Sequence, residues 1–136
     1  MRRVGVWLWV LLLALAPASP GHAADRPQVR VSEGLLAGEW RGDLRVFRGI
    51  PYAAPPVGAR RWRPPAPPEA WQGVRKAAAF GAACAQPAYP DDSVYFEPPA
   101  PMSEDCLTLN IWTPKAAAKA PVIVWIHGGA LLRGTS

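Results

Sequence analysis

Only two cysteines and two histidines occur among the 136 residues of this sequence. Neither Cys84 nor Cys106 has a second cysteine or a histidine at ligand spacing, so no metal site is expected. After residue 24 no apolar run is long enough to cross a hydrocarbon layer of about 30 Å. No internal repeat is present, and no segment reads as a long amphipathic helix. Charge is also sparse: 18% of residues are charged, and the formal charge is +5. Setting aside Arg2 and Arg3 leaves +3 (5 − 2). The densest basic run is Arg60, Arg61 and Arg63 around Trp62. It is too small for a nucleic-acid patch and reads as structural or solvated, so no nucleic-acid partner is expected.

What is abundant is proline (17) and glycine (12), in a chain that is 50% apolar. That composition excludes both a disordered polymer and a helical bundle. It describes one small domain of short strands, turns and loops.

The first residues form a separate unit. Arg2 and Arg3 precede an apolar run of 13 residues over 4–16, and small residues and prolines follow as far as Gly21-His22-Ala23-Ala24. This is the layout of a secretory signal peptide. Cleavage is expected after Ala23 or Ala24, with Ala18 as an earlier alternative, and His22 leaves with the signal. At helical rise the run would span only about 20 Å, too short for a membrane anchor. Residues 1–23 are therefore read as a signal and 24–136 as the exported part, secreted or periplasmic, with no membrane association after cleavage. In an oxidising compartment the even pair Cys84 and Cys106 points to a disulfide, which would contribute about 3 kcal/mol on chain-entropy grounds.

Strands are expected in four places. Val29, Val31, Leu35 and Leu36 flank Ser32-Glu33-Gly34 as a hairpin, and Gly42-Asp43 turns into a strand over 44–48. These would form a small antiparallel sheet. Leu107, Leu109 and Ile111 alternate with Thr108, Asn110 and Trp112, the period of a strand ended by Pro114. The strongest pattern is Val122-Ile123-Val124-Trp125-Ile126, which reads as a strand buried on both faces. Residues 49–68 are too proline-rich for helix. Ile50, Tyr52, Val57 and Trp62 are too apolar for a solvated linker, so this segment is expected to be an ordered loop packed on the body. Residues 74–80 fit either a short strand or one helical turn. A doubly buried strand over 122–126 needs cover that nothing else here provides, so the chain is expected to be part of something larger.

That apolar run leads directly into His127-Gly128-Gly129-Ala130. A glycine turn after a strand brings backbone N–H groups close to a ligand and can form an oxyanion hole. Taken alone, the spacing also fits a plain strand exit.

Three blocks extend this reading. They are Phe47-Arg48-Gly49-Ile50-Pro51-Tyr52-Ala53 with Pro55-Pro56-Val57-Gly58, then Ser103-Glu104-Asp105-Cys106-Leu107-Thr108-Leu109-Asn110-Ile111-Trp112, then Pro121 through Ala130. In this order they resemble type-B carboxylesterases and cholinesterases, and Trp71, Phe80, Cys84 and Gln86 also fall where that family's pattern places them. The resemblance covers about residues 29–134.

The resemblance implies an α/β fold: the N-terminal portion of an α/β-hydrolase, comprising a small antiparallel sheet, loops and the first central-sheet strands, and incomplete. It implies a Ser–Glu (or Asp)–His triad acting on small-molecule esters without metal or organic cofactor. The oxyanion donors would be the N–H groups of Gly129 and Ala130, with a third after the serine. It further implies that Cys84 pairs with Cys106 at the mouth of the active-site gorge. Arg61 would pair with Glu104, with Arg48 as a competing partner. Phe96 would stand where cholinesterases hold a quaternary ammonium on tryptophan. Phenylalanine is the weaker cation–π partner, which favours neutral esters. Leu131 would replace a common aromatic residue at the acyl pocket. His127 is expected to shape the turn and not to serve as the base.

No Gly-x-Ser-x-Gly occurs, and none of Ser32, Ser93, Ser103 and Ser136 has the strand–turn–helix context of a nucleophile elbow. The 136 residues are thus expected to stop before the nucleophile and to be inactive by themselves. A non-catalytic, cholinesterase-like adhesion module is the alternative. Nothing in the sequence bears on oligomeric state.

Overall fold

The computed structural model describes residues 26–94, 96, 101–130 and 132–135. The signal read over residues 1–23, Tyr95 and Leu131 lie outside the described residues.

Strands β1 (Gln28–Val31) and β2 (Gly34–Ala37) form the expected hairpin, with Val31 opposite Gly34. Strand β3 (Glu39–Arg41) turns through Gly42, at φ +59°, into β4 (Leu44–Pro51). The segment over 74–80 resolves as a strand: β5 (Val74–Lys76) runs parallel to β2, which makes the first sheet mixed. A short parallel pair, β6 (Ala83–Cys84) and β7 (Met102–Ser103), closes the base of the cysteine loop. Strand β8 (Thr108–Pro114) is antiparallel to β4 and completes a second sheet of order β3-β4-β8.

The two sheets meet along one seam. The Ala77 N–H donates to Ala37 O at 2.7 Å, and the Arg48 N–H donates to Ala77 O at 2.9 Å. Leu36, Phe47, Ile50 and Ala77 form the core there, with Val31 and Trp71 packed against it. Burial of a side chain such as Leu36 or Phe47 stabilises by about 1.5–3 kcal/mol. The Trp71 indole is fixed by its Nε1–H, which donates to Leu35 O at 2.9 Å.

Strand β4 is bulged between Phe47 and Ile50. At the bulge Gly49 takes φ +66°, and its N–H leaves the ladder to donate to Asn110 Oδ1 at 2.9 Å. A Cβ at this position would lie 2.6 Å from Ala79 O, so glycine is required by both conformation and space. The bulge also explains why Phe47 and Ile50, three residues apart, reach the same core.

Three expectations need correction. Residues 122–126 are not a strand: they carry no ladder and are exposed throughout, Ile123 to 93%. A strand buried on both faces needs cover, and among the described residues nothing covers this run. In β8 the alternation runs with the opposite sense as far as Ile111. Thr108 and Asn110 are half-buried while Leu109 and Ile111 are exposed, because β8 turns this polar side toward Gly49 and Gly81; beyond it Trp112 is exposed and Thr113 half-buried. Finally, the proline-rich segment is ordered, but of its large side chains only Ile50, near the end of β4, enters the core; Tyr52, Val57 and Trp62 are exposed. Ala53 and Ala54 are buried, and the Ala54 N–H donates to Ala66 O at 2.9 Å. Trp62 stands 96% exposed at φ +58°, beyond a 3-10 turn at Gly58–Arg60.

Candidate functional site

The glycine turn after residue 126 has an unusual backbone. Gly129 takes φ +116° and Ala130 takes φ +55°. At Gly129 a Cβ would collide with Arg133 O, so only glycine fits. Ala130 holds a left-handed conformation that costs an L residue roughly 1–2 kcal/mol. Strain of this kind concentrates at functional sites.

The carbonyl of Gly129 closes the turn by accepting the Leu132 N–H at 3.0 Å and the Arg133 N–H at 3.2 Å. Among the described residues, no main-chain acceptor takes the N–H of Gly129 or of Ala130. Both residues are exposed. Two adjacent donors, outside any ladder and open to solvent, form a group able to receive an anionic oxygen.

Both ends of the turn are tied down. His127 Nδ1 lies 2.8 Å from Gly128 O. A carbonyl only accepts, so Nδ1 carries the proton in this contact. Gly134, at φ +125°, packs so closely on the His127 ring that a Cβ there would overlap Nδ1. The Gln86 amide holds Gly134 on both sides: Oε1 accepts the Gly134 N–H at 2.6 Å, and Nε2 donates to Gly134 O at 3.0 Å. Gln86 Nε2 also donates to Cys84 O at 3.1 Å. The Arg133 guanidinium lies 4.1 Å from the centroid of the Tyr89 ring.

Cys84 and Cys106 are joined as a disulfide, with Cα atoms 5.1 Å apart. Beside it the Arg61 Nη1–H donates to Glu104 Oε1. Both side chains are about half exposed, 51% and 46%. The competing partner, Arg48, is engaged elsewhere: its Nη2 lies 2.6 Å from Glu39 Oε2, and its guanidinium covers the Phe80 ring at 5.1 Å. Phe96 is 42% exposed, and its N–H donates to Ser93 O at 2.9 Å, so it sits in a turn inside the cysteine loop. The structure thus joins the disulfide, Gln86 and the glycine turn into one connected unit. It places Arg61 and Glu104 together at the loop base.

Arg133 and Gly134 were not singled out from the sequence, and Gln86 stood out only as a position in a family pattern. Gln86 and Gly134 lie 48 residues apart and belong to no common period. The only local hints were a polar residue two positions after Cys84 and a third glycine following the turn.

Residues 25–136 match the pattern described as Carboxylesterase family. Phenmedipham hydrolase of Pseudarthrobacter oxydans is 48% identical over 115 residues, 81% of this chain and 23% of that protein. Cocaine esterase of Oryctolagus cuniculus is 46% identical over 125 residues, 86% of this chain and 23% of its own length. Among solved structures, a PNB esterase superposes with TM-score 0.71 at 38% identity, over 80% of this chain and 22% of that one. A carboxylesterase of Geobacillus stearothermophilus gives TM-score 0.67 at 47% identity, over 80% and 21% respectively. The chain therefore spans about a quarter of the length of the relatives it matches.

Proposed function

Because this chain belongs to the carboxylesterase family, matching it over residues 25–136, we propose that it supplies the oxyanion-binding part of a serine carboxylesterase for small-molecule esters. Its architecture is a strand-rich part of an α/β-hydrolase. The observation that carries the reading is the adjacent N–H groups of Gly129 and Ala130, which have no main-chain acceptor among the described residues.

The chemistry requires such a pair. A serine hydroxyl oxygen bonds to the ester carbonyl carbon, its proton passes to histidine, and the carbonyl π pair moves onto oxygen. That oxygen becomes a full anion at the moment the N–H groups are needed. The tetrahedral species then collapses, the C–O bond to the alcohol breaks, and the alkoxide leaves with the proton from histidine. Water repeats the sequence to release the acid. Each oxyanion donor contributes about 2.7–4 kcal/mol to the transition state. The triad itself would come from the part of such an esterase that these residues do not cover.

The remaining assignments rest on the same family reading. Phe96 and Leu131 are proposed to contact substrate, one at the gorge and one at the acyl pocket. Residues 1–23 are proposed as an export signal and 24–136 as part of the carboxylesterase domain. The Cys84–Cys106 disulfide supports a secreted or periplasmic location, since such bonds persist in oxidising compartments.

Kinetics on the complete protein test this. Hydrolysis of p-nitrophenyl butyrate, abolished by stoichiometric labelling with diethyl p-nitrophenyl phosphate, is expected. Absence of both turnover and labelling would contradict the proposal and favour a binding module.

A further inference from the structure

The glycine turn lacks the means to hold its own shape. His127, Gly128, Gly129 and Ala130 are all exposed, and two of them occupy left-handed backbone conformations. Only two main-chain hydrogen bonds, both onto Gly129 O, close the turn among the described residues. An oxyanion hole must nonetheless be rigid, because its advantage over water is that its donors need no reorganisation during reaction.

We propose that Gln86 is the positioning residue of this turn, locking its far end to the disulfide-closed loop. A primary amide is suited to the task. It offers one acceptor and one donor in a fixed plane, and so can satisfy the N–H and C=O of a single residue as a neighbouring strand would. Gln86 does this to Gly134, at 2.6 and 3.0 Å. The same Nε2 reaches Cys84 O at 3.1 Å, so the tether ends at a covalent crosslink to Cys106. Gly134 in turn packs on the His127 ring, whose Nδ1 bonds Gly128 O, the residue before the donors. Strain at Gly129 and Ala130 is therefore opposed from both sides by groups that never touch substrate. The stack of Arg133 on Tyr89 runs from turn to loop in the same direction.

This role rests on the oxyanion reading above, and the two can fail separately. In the complete protein, Gln86→Met keeps the side-chain length and removes both hydrogen-bonding functions. It is expected to lower kcat by about tenfold to about a hundredfold, the range for a displacement of up to about 1 Å, with KM changed less than about threefold. Binding of an alkyl trifluoromethyl ketone, which adds to the serine as an oxyanion, should weaken by the same factor as kcat. A purely structural role would instead lower the melting temperature and reduce the amount of active enzyme, leaving kcat per titrated site unchanged. That outcome overturns the proposal. If the parent binds the trifluoromethyl ketone no tighter than the matching methyl ketone, the oxyanion reading itself falls. If the parent discriminates and Gln86→Met discriminates equally, only the Gln86 role falls. Should the variant not fold, amide exchange in the parent decides. The Gly134 N–H is expected to be protected while those of Gly129 and Ala130 exchange freely, and equal rates at all three overturn the proposal.

Discussion

Asn110 Oδ1 accepts the N–H of Gly49 at 2.9 Å, so a side chain of β8 fills the gap that the bulge leaves in β4. Asn110→Leu would leave that N–H without its acceptor in a half-buried seam, at a cost of about 1–3 kcal/mol. Gly49→Ala should cost at least as much. It adds the left-handed penalty of roughly 1–2 kcal/mol to a contact with Ala79 O. Urea denaturation of both variants checks the order, and a neutral Gly49→Ala would contradict the bulge geometry.

Opening the Cys84–Cys106 bond frees a loop with a 22-residue separation. Replacing both cysteines with serine is expected to destabilise by about 3 kcal/mol. The glycine turn should loosen with it, since Gln86 bridges from Cys84 O to Gly134. Equilibrium unfolding gives the first quantity, and amide exchange at Gly134 gives the second.

Two of the arginine–glutamate pairs, Arg61–Glu104 and Arg48–Glu39, should differ in strength. Arg61 and Glu104 are 51% and 46% exposed, so solvent screens them and a double-mutant cycle should return about 0.2–1 kcal/mol, shrinking with added salt. Arg48 and Glu39 are 17% and 29% exposed, and Arg48 also covers Phe80. Their coupling is expected to be about 1.5–3 kcal/mol and to respond less to salt. Equal couplings would count against the burial difference.

Ala130 can be varied with its N–H kept or removed. Ala130→Gly keeps the N–H and suits φ +55°, so kcat of the complete protein should stay within about threefold of the parent. Ala130→Pro removes the N–H and also forbids φ +55°, so it should lower kcat by at least the roughly hundredfold to thousandfold that loss of one donor costs, about 2.7–4 kcal/mol. Similar activity in the two variants would show that this amide is not a donor to the reaction.

Much of the sheet was legible because alternation and glycine turns are local signals. The β1–β2 hairpin follows from Ser32-Glu33-Gly34, and β4 and β8 follow from their period of two. The turn at Gly128 and Gly129 was visible for the same reason. Burial was less legible, because it depends on partners that lie far away in sequence. The run over 122–126 has the composition of a buried strand yet lies exposed, and Leu109 and Ile111 face solvent where Asn110 faces in. Trp62 marked an ordered loop correctly but does not pack it; the small Ala53 and Ala54 do. The Gln86–Gly134 contact joins residues 48 apart through a side-chain amide, which no periodicity encodes.

A structure of the complete protein carrying a covalent diethyl phosphate addresses the oxyanion assignment without relying on any variant. The phosphoryl oxygen is expected at about 2.7–3.1 Å from the nitrogens of both Gly129 and Ala130. A phosphoryl oxygen turned toward other donors, with these two amides committed to main-chain partners, would contradict it.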